Sequence, residues 1–181
     1  MLVISFRPFP ELTTERLRFR QLVSEDVNEL FELRSDVRVN KFLNRNQCKT
    51  QQEASAFITK INRGISNNEW IYWAITLKDN SKLIGTICLW NIQPENYRAE
   101  IGYELIPDFW GKGIMKEAIP KIIDYGFNTM GLHSIEADIH PDNFQSVGHL
   151  EKNGFVKEGH FKESTYFNGK FIDRIVYSLI K

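Results

Sequence analysis

The residues most suited to chemistry form a glycine-rich turn in the second half of the chain. An apolar stretch ends at Pro107, and an amphipathic helix is predicted to follow the turn Trp110-Gly111-Lys112-Gly113-Ile114-Met115. Free backbone N–H groups at a helix start bind anions with the help of the helix dipole, and glycines let a phosphate approach the backbone closely. Lys112 adds a mobile positive charge. The turn is therefore a candidate phosphate site, although a plain tight turn explains Gly-x-Gly equally well.

Two common nucleotide motifs do not describe this turn. A P-loop requires Gly-x4-Gly-Lys-Ser/Thr, which the chain lacks, and a dinucleotide fingerprint requires a third glycine where Lys116 stands. The strands predicted before the turn are antiparallel, whereas crossover strands surround such a fingerprint. A phosphate ligand of another kind is indicated.

Two carboxylates precede the turn on a strand predicted over residues 98–106. Glu100 and Glu104 are four residues apart, so both side chains lie on one face of the strand. Either could accept a proton from an attacking amine, directly or through water, or could be a plain surface carboxylate. At pH 7 about 14% of an α-amine is neutral, against about 0.04% of a lysine amine, so a base matters far more for lysine. Tyr103 lies on the other face and is predicted to be core.

A short helix predicted after Asn143 carries the next candidates. Asn143 is either its N-cap alone or also a ligand contact, and Ser146 is either a surface serine or a donor to a departing sulfur. A strong acid is not required there, because a thiol with a pKa of about 8.5 leaves tolerably as thiolate. Cys88 lies in an apolar strand and Cys48 in a polar loop, and nothing nearby in the sequence activates either as a nucleophile.

Hydrophobic periodicity predicts the elements that must position these residues. Strands are predicted over residues 13–22, 70–77, 83–92, 98–106, 134–139, 155–167 and 171–180, and helices over 24–35, 50–63, 112–130 and after 143. The order β-α-α-β-β-β-α-β-α-β-β predicts an α/β fold of the mixed α+β kind, with a central, mostly antiparallel seven-stranded sheet and helices on both faces. Asn168-Gly169 predicts a type I′ hairpin. No linker or repeat divides residues 1–181, which are read as one domain.

Composition narrows the class of protein. Lys+Arg and Asp+Glu are equal at 23 each, so no bulk positive charge favours nucleic-acid binding. Residues 1–10 do not read as a signal peptide, and no apolar run reaches the ~18 residues of a membrane span. Two cysteines are too few for a disulfide framework, and the four histidines form no metal motif. A cytoplasmic protein without a metal, a nucleic-acid partner or a membrane partner is expected.

The chain resembles the GNAT N-acetyltransferase superfamily over nearly its full length, and within it the RimJ/RimL-like ribosomal-protein N-acetyltransferases. The matching segments follow in the same order: Leu12–Arg20, Ala99–Leu105, Phe109–Ala118, Asn143–Ser146 and Leu150–Phe155. The superfamily loop is Gln/Arg-x-x-Gly-x-Gly/Ala, whereas here Trp110 replaces Gln/Arg and Met115 replaces the final small residue. Backbone binding of phosphates tolerates both changes.

The resemblance implies an acetyl-CoA-dependent N-acetyltransferase that works by direct transfer in a ternary complex. It implies coenzyme A contacts at Leu105, Ile106, Trp110, Gly111, Lys112, Gly113, Ile114, Met115 and Asn143, and catalytic roles for Glu100 or Glu104 and for Ser146. The implied acceptor is a protein N-terminal α-amine, ribosomal in that branch. A small-molecule amine such as a polyamine or an antibiotic, and a non-catalytic acyl-CoA sensor, are the alternatives. Dimers are common in the branch, so a homodimer is a further expectation.

Overall fold

The structure, a computed structural model, describes residues 2–181. The strands are β1 (Leu12–Thr13), β2 (Leu17–Arg20), β3 (Ile71–Leu77), β4 (Asn80–Gln93), β5 (Arg98–Leu105), β6 (Ser134–Ile139), β7 (Val156–Phe167) and β8 (Lys170–Ile180). They form one sheet in the order β1-β2-β3-β4-β5-β6-β8-β7. Every neighbouring pair is antiparallel except β5 with β6, which is parallel. The mixed, mostly antiparallel sheet predicted from the sequence is confirmed.

The sheet has eight strands rather than seven because the first predicted strand is a small hairpin. β1 pairs antiparallel with β2, with Leu12 opposite Phe19. The Thr14 hydroxyl accepts a hydrogen bond from the Leu17 N–H at 3.2 Å and closes the turn between them. At the other end of the chain, Asn168 and Gly169 have φ of 47° and 79°, the two positive values of the predicted type I′ turn.

Five α-helices accompany the sheet in the described chain: α1 (Val27–Ser35), α2 (Val37–Asn40), α3 (Gln51–Ser66), α4 (Ile114–Asp124) and α5 (Phe144–Lys152). α1 begins later than predicted because Ser24–Asp26 form a short 3₁₀ turn before it, and its N-cap residue is Asp26 rather than Ser24. The Asp26 carboxylate accepts the Val23 N–H at 2.9 Å and pairs with Arg20. α3 does not end at Gly64, where a Cβ would lie 2.1 Å from the Trp70 indole. This glycine gives the tryptophan room to pack against the helix.

Helices pack on both faces of the sheet, as two adjacent residues of β3 demonstrate. Tyr72 meets Phe57 of α3 edge-to-face at 5.8 Å, and Trp73 meets Tyr125 in the same way at 5.2 Å. Tyr125 begins the π-helical segment Tyr125–Met130 that continues α4. Successive strand residues point to opposite faces, so α3 and α4 enclose the sheet from two sides. The predicted fold class is confirmed, and the core lies between these layers.

Candidate active site

The parallel pair β5–β6 separates soon after it begins. Only Arg98–Glu100 pair with Ser134–Glu136, although β5 continues to Leu105 and β6 to Ile139. A cleft of about 1050 Å³ lies between the free end of β5, the glycine turn and α5. Most of the predicted site residues line it: Glu104, Leu105, Trp110, Gly111, Gly113, Ile114, Met115, Asn143 and Ser146. The predicted residues Glu100, Ile106 and Lys112 are not among its lining residues.

The glycine turn has a backbone that only glycine adopts easily. Gly111 and Gly113 have φ of +72° and +74°, in the left-handed region, and Gly113 is the N-cap of α4. The N–H groups of Ile114, Met115 and Lys116 form the first turn of the helix, where no earlier carbonyl accepts them. These donors and the positive end of the helix dipole lie at the cleft, an arrangement suited to phosphate oxygens. Lys116 and Lys152 also line the cleft and add positive charge.

A clamp of residues that join β1 to β2 holds the glycine turn on the side away from the cleft. The Arg16 guanidinium donates to the carbonyls of Lys112 at 3.0 Å and Gly113 at 3.2 Å, and its Nε donates to Glu117 at 2.7 Å. Glu117 also accepts the Arg16 N–H at 2.8 Å and the Thr14 hydroxyl. Because Arg16 engages the carbonyls of Lys112 and Gly113 on the side away from the cleft, the turn is held in place while its N–H groups stay free. The sequence did not predict the clamp, because Arg16 looks like one polar residue of the alternating strand predicted over residues 13–22.

Glu117→Gln is expected to raise KM for acetyl-CoA about tenfold, with kcat nearly unchanged, because charge-assisted hydrogen bonds that fix the turn weaken. Burial opposes ionisation of this carboxyl, but hydrogen bonds from Thr14 and Arg16 outweigh it and lower its pKa below 4.5. The stabilisation is therefore present above pH 4.5 and is lost as the pH falls through the lowered pKa. The matched control is Glu11→Gln, which breaks the exposed Glu11–Arg18 pair of the same hairpin. Equal KM values for the two variants would contradict the clamp.

The end of β5 presents a free backbone donor to the cleft at Leu105. The Ile106 N–H donates to the Ile84 carbonyl of β4 at 2.9 Å, and the Ile106 side chain is buried. Hydrogen-bonding direction alternates along an antiparallel ladder, so the N–H and C=O of Leu105 face away from β4. The Leu105 carbonyl accepts the Trp110 indole N–H at 2.8 Å. The Leu105 N–H is left for a ligand, whereas Ile106 has no free donor to give one.

Glu104 lies at the cleft in an ion-pair cluster. Its two oxygens accept from the Arg45 guanidinium at 2.6 Å each, and Arg34 lies 3.7 Å away and stacks over the Phe57 ring. Arg45 Nε donates in turn to Asn40 at 2.8 Å. Burial, followed by repulsion from Arg45, lowers the pKa of Arg34. Two guanidinium groups on one carboxylate leave a net positive charge beside the cleft.

This cleft, glycine turn and strand separation occur in a chain whose residues 16–156 match the acetyltransferase (GNAT) domain family. The match spans well over half of the chain. The chain belongs to the GNAT acetyltransferase family. The uncharacterized N-acetyltransferase YoaA of Bacillus subtilis is 36% identical over 173 residues, covering 96% of this chain and 98% of that protein. The GNAT chain described here is therefore an N-acetyltransferase, and acetyl-CoA is its cosubstrate.

Two further relatives of this GNAT enzyme have named acceptors. The structure of ribosomal-protein-S5-alanine acetyltransferase from Vibrio fischeri has a TM-score of 0.80 and 27% identity, covering 94% of this chain and 96% of that one. Spermidine N(1)-acetyltransferase of Vibrio cholerae is 34% identical over 91 residues, covering 50% of this chain and 53% of that protein. The relatives thus acetylate amines of different kinds.

The start of α5 brings three cleft residues of the GNAT enzyme together. The Asn143 side chain accepts the Ser146 N–H at 3.3 Å, so its predicted capping role is realised. The Tyr103 hydroxyl donates to the Ser146 carbonyl at 3.5 Å, and burial raises the pKa of Tyr103 to about 12. Tyr103 was predicted to be core; it is half-buried and lines the cleft because the missing β6 pairing opens its edge of β5.

Glu100 lies away from this cleft. It stands at the last residue of β5 that still pairs with β6, and its carboxylate accepts from Asn91 at 2.6 Å. Burial raises the pKa of Glu100, an effect that the Asn91 hydrogen bond opposes.

Cys88 is buried, and its thiol lies 3.5 Å from the Gly102 carbonyl; burial raises the pKa of this thiol, so it does not ionise readily to a thiolate. Among residues 2–181, none of the helices has the length and apolar character that a membrane span requires.

Proposed function

We propose that the enzyme acetylates a protein N-terminal α-amine, as RimJ/RimL-like enzymes do, by direct attack of the amine on the thioester. The observation that carries the proposal is the joint placement of the glycine turn, the free Leu105 N–H and Glu104 around one cleft. A phosphate-binding end, a carbonyl-polarising donor and a carboxylate are what an acetyl transfer to an amine needs.

Coenzyme A would be held mainly by backbone groups. The N–H groups of the first turn of α4 fit its pyrophosphate, with Lys116 and Lys152 as charged neighbours. The Leu105 N–H is the donor for the thioester carbonyl, where negative charge develops in the transition state. The Trp110 indole donates to the Leu105 carbonyl and so fixes the Leu105–Ile106 peptide group, which follows the Leu105 N–H along the chain.

Glu104 is the proposed acceptor for the amine proton. A carboxylate has about four lone-pair sites, and the bidentate Arg45 contact occupies two of them, so an amine N–H can still be accepted. An α-amine needs less help than a lysine amine, because about 14% is already neutral at pH 7, but the proton that the nitrogen loses as it attacks still needs an acceptor. Ser146 is the proposed hydrogen-bond donor to the leaving thiolate, since it lines the cleft beside Tyr103. Glu100 has no place in this arrangement.

The lining of the acceptor side favours an α-amine over a polyamine. Arg38 and Lys41 line the cleft with the single additional carboxylate Asp142. Arg38 is paired with Asp36, so within residues 2–181 Lys41 is the unpaired cation on this side that a polycationic acceptor would meet as like charge. The relative from Vibrio fischeri is named for a ribosomal-protein alanine, whereas the spermidine enzyme matches only half of the chain. An α-amine with no second cationic group close to it fits these observations.

Release of coenzyme A thiol, measured with a panel of peptides, spermidine and lysine amides, tests this proposal, with mass spectrometry to locate the acetyl group. Acetylation of peptide α-amines with the highest kcat/KM is expected. A preference for spermidine or for lysine side chains would overturn the α-amine assignment, and tight coenzyme A binding without turnover on any amine would overturn catalysis itself.

The double variant Cys48→Ser/Cys88→Ala is expected to keep kcat within about threefold, because direct transfer uses no enzyme thiol. Both cysteines are free and buried, and neither lines the cleft. Rapid-quench measurement should detect no burst of thiol without an acceptor amine. Loss of activity with a retained melting temperature, or a stoichiometric burst in the unmodified enzyme, would indicate an acyl-cysteine route.

A further inference from the structure

A second cavity lies beside the cleft, on the far side of the Arg45–Glu104 ion pair. Its volume is about 850 Å³, in the range of ligand pockets. It lies between the loop that joins α2 to α3, His140 and the β7–β8 hairpin, where Phe167, Asn168 and Ile172 line it. The two cavities share the rim residues Lys41, Phe42 and Leu43. Because Glu104 lines the cleft and Arg45 lines the second cavity, one ion pair spans the wall between them.

The lining of the second cavity is rich in carboxamides. Asn40 is engaged, since it donates to the carbonyls of Arg34 and Asp36 and accepts from Arg45. The others are exposed at the cavity and have no side-chain hydrogen bond within residues 2–181: Asn44, Asn46, Gln47 and Asn168. A carboxamide offers donors and acceptors together, as a peptide group does. Such a lining matches an extended main chain better than an aliphatic polyamine.

The charges of the second cavity are predominantly positive. Lys41 and Lys49 line it, and within residues 2–181 neither has a carboxylate within ion-pair distance. Arg45 adds a guanidinium that shares the Glu104 carboxylate with Arg34. The one lining carboxylate, Glu53, accepts the Lys49 backbone N–H at 2.9 Å. An acidic side chain entering this cavity would therefore gain two unpaired ammonium partners.

We propose that the second cavity binds the residues that follow the acceptor α-amine, and that the acceptor is a protein N-terminus with acidic residues in the first few positions. The amine would reach Glu104 across the shared rim, while carboxamides hold the main chain and Lys41 and Lys49 hold the acidic side chains. The inference rests on the proposed function and narrows its substrate class from any α-amine to an acidic peptide.

Matched peptides test the inference. Three hexapeptides share an N-terminal serine and differ at positions two to four, which carry Asp, Asn or Lys, and kcat/KM is measured for each by thiol release. The acidic peptide is expected to exceed the neutral one at least tenfold at low ionic strength, with the ratio falling as salt screens the contact. The variant Lys41→Glu/Lys49→Glu should reverse the order, so that the basic peptide becomes the best. The control is Lys60→Glu, on an exposed position of α3 outside both cavities, which should retain the original order.

Failure of the inference is distinct from failure of the proposed function. Equal kcat/KM for the three peptides, or an unchanged order in the double variant, overturns the acidic-peptide assignment while α-amine acetylation stands. No acetylation of any peptide, with turnover on spermidine or another small amine, overturns the proposed function. Both lysines are exposed, so the double variant is expected to keep the melting temperature of the parent within a few degrees.

Discussion

Gly113→Val is expected to abolish measurable acetyl-CoA binding while the chain still folds. Gly113 has φ of +74°, where a non-glycine residue costs about 1–2 kcal/mol and a β-branched residue is a genuine outlier. An added Cβ also lies 3.5 Å from the Arg16 guanidinium, so a larger side chain presses on the clamp. Either response, a flipped peptide or a displaced Arg16, removes N–H groups from the phosphate position. Isothermal titration with coenzyme A should show at least a hundredfold loss of affinity.

The control for this variant is Gly148→Ala. Gly148 also lines the cleft but lies inside α5, has no positive φ and has no atom within 4 Å of an added Cβ. Alanine there should stabilise the helix by about 0.5–1 kcal/mol and leave coenzyme A affinity close to that of the parent. Ligand protection separates folding from binding, since ligand at about a hundred times its Kd adds about 2.7 kcal/mol to stability. Undiminished protection of Gly113→Val would contradict the phosphate-loop assignment.

Glu104→Gln should lower kcat by about a hundredfold or more, the range in which general-base residues act. Glutamine cannot take the amine proton, although its oxygen can still accept from Arg45. The variant also leaves Arg34 and Arg45 without a neutralising charge in a site where Glu104 is 13% exposed, so unfolding should become easier by up to about 3 kcal/mol. The melting temperature must therefore be measured beside the rate, and assays kept well below it.

Glu100→Gln is the matched comparison on the same face of β5. Its carboxylate meets Asn91 rather than the cleft, so kcat should stay within about twofold of the parent. At high pH, where the acceptor amine is already neutral, the defect of Glu104→Gln should shrink if the carboxylate removes a proton, and persist if it only holds Arg45 in position. Equal rates for Glu100→Gln and Glu104→Gln at every pH would place the base elsewhere or in bulk water.

Short stretches of sequence are sufficient to predict some features of this enzyme. The period-two and helical patterns give the strand and helix order, Asn168-Gly169 specifies a type I′ turn, and Gly111 and Gly113 mark the glycine turn before α4. Each depends on backbone sterics and hydrogen bonding between residues a few positions apart, so residue types alone are sufficient. The division of the first strand into β1 and β2 escaped this reasoning, because alternation of side chains continues across the turn closed by Thr14.

The tertiary structure alone distinguishes the two carboxylates and supplies their partners. Glu100 and Glu104 share a face and are equivalent in sequence, yet β6 pairing ends at Glu100 and the cleft opens beside Glu104. Arg45 reaches Glu104 from 59 residues away, and Arg16 reaches Glu117 from 101 residues away. The sequence by itself determined the glycine turn and most of the order of elements, since both follow from local periodicity and backbone conformation. The tertiary structure decided which side chains meet at the cleft, because these contacts join residues far apart in the sequence and no local pattern encodes them.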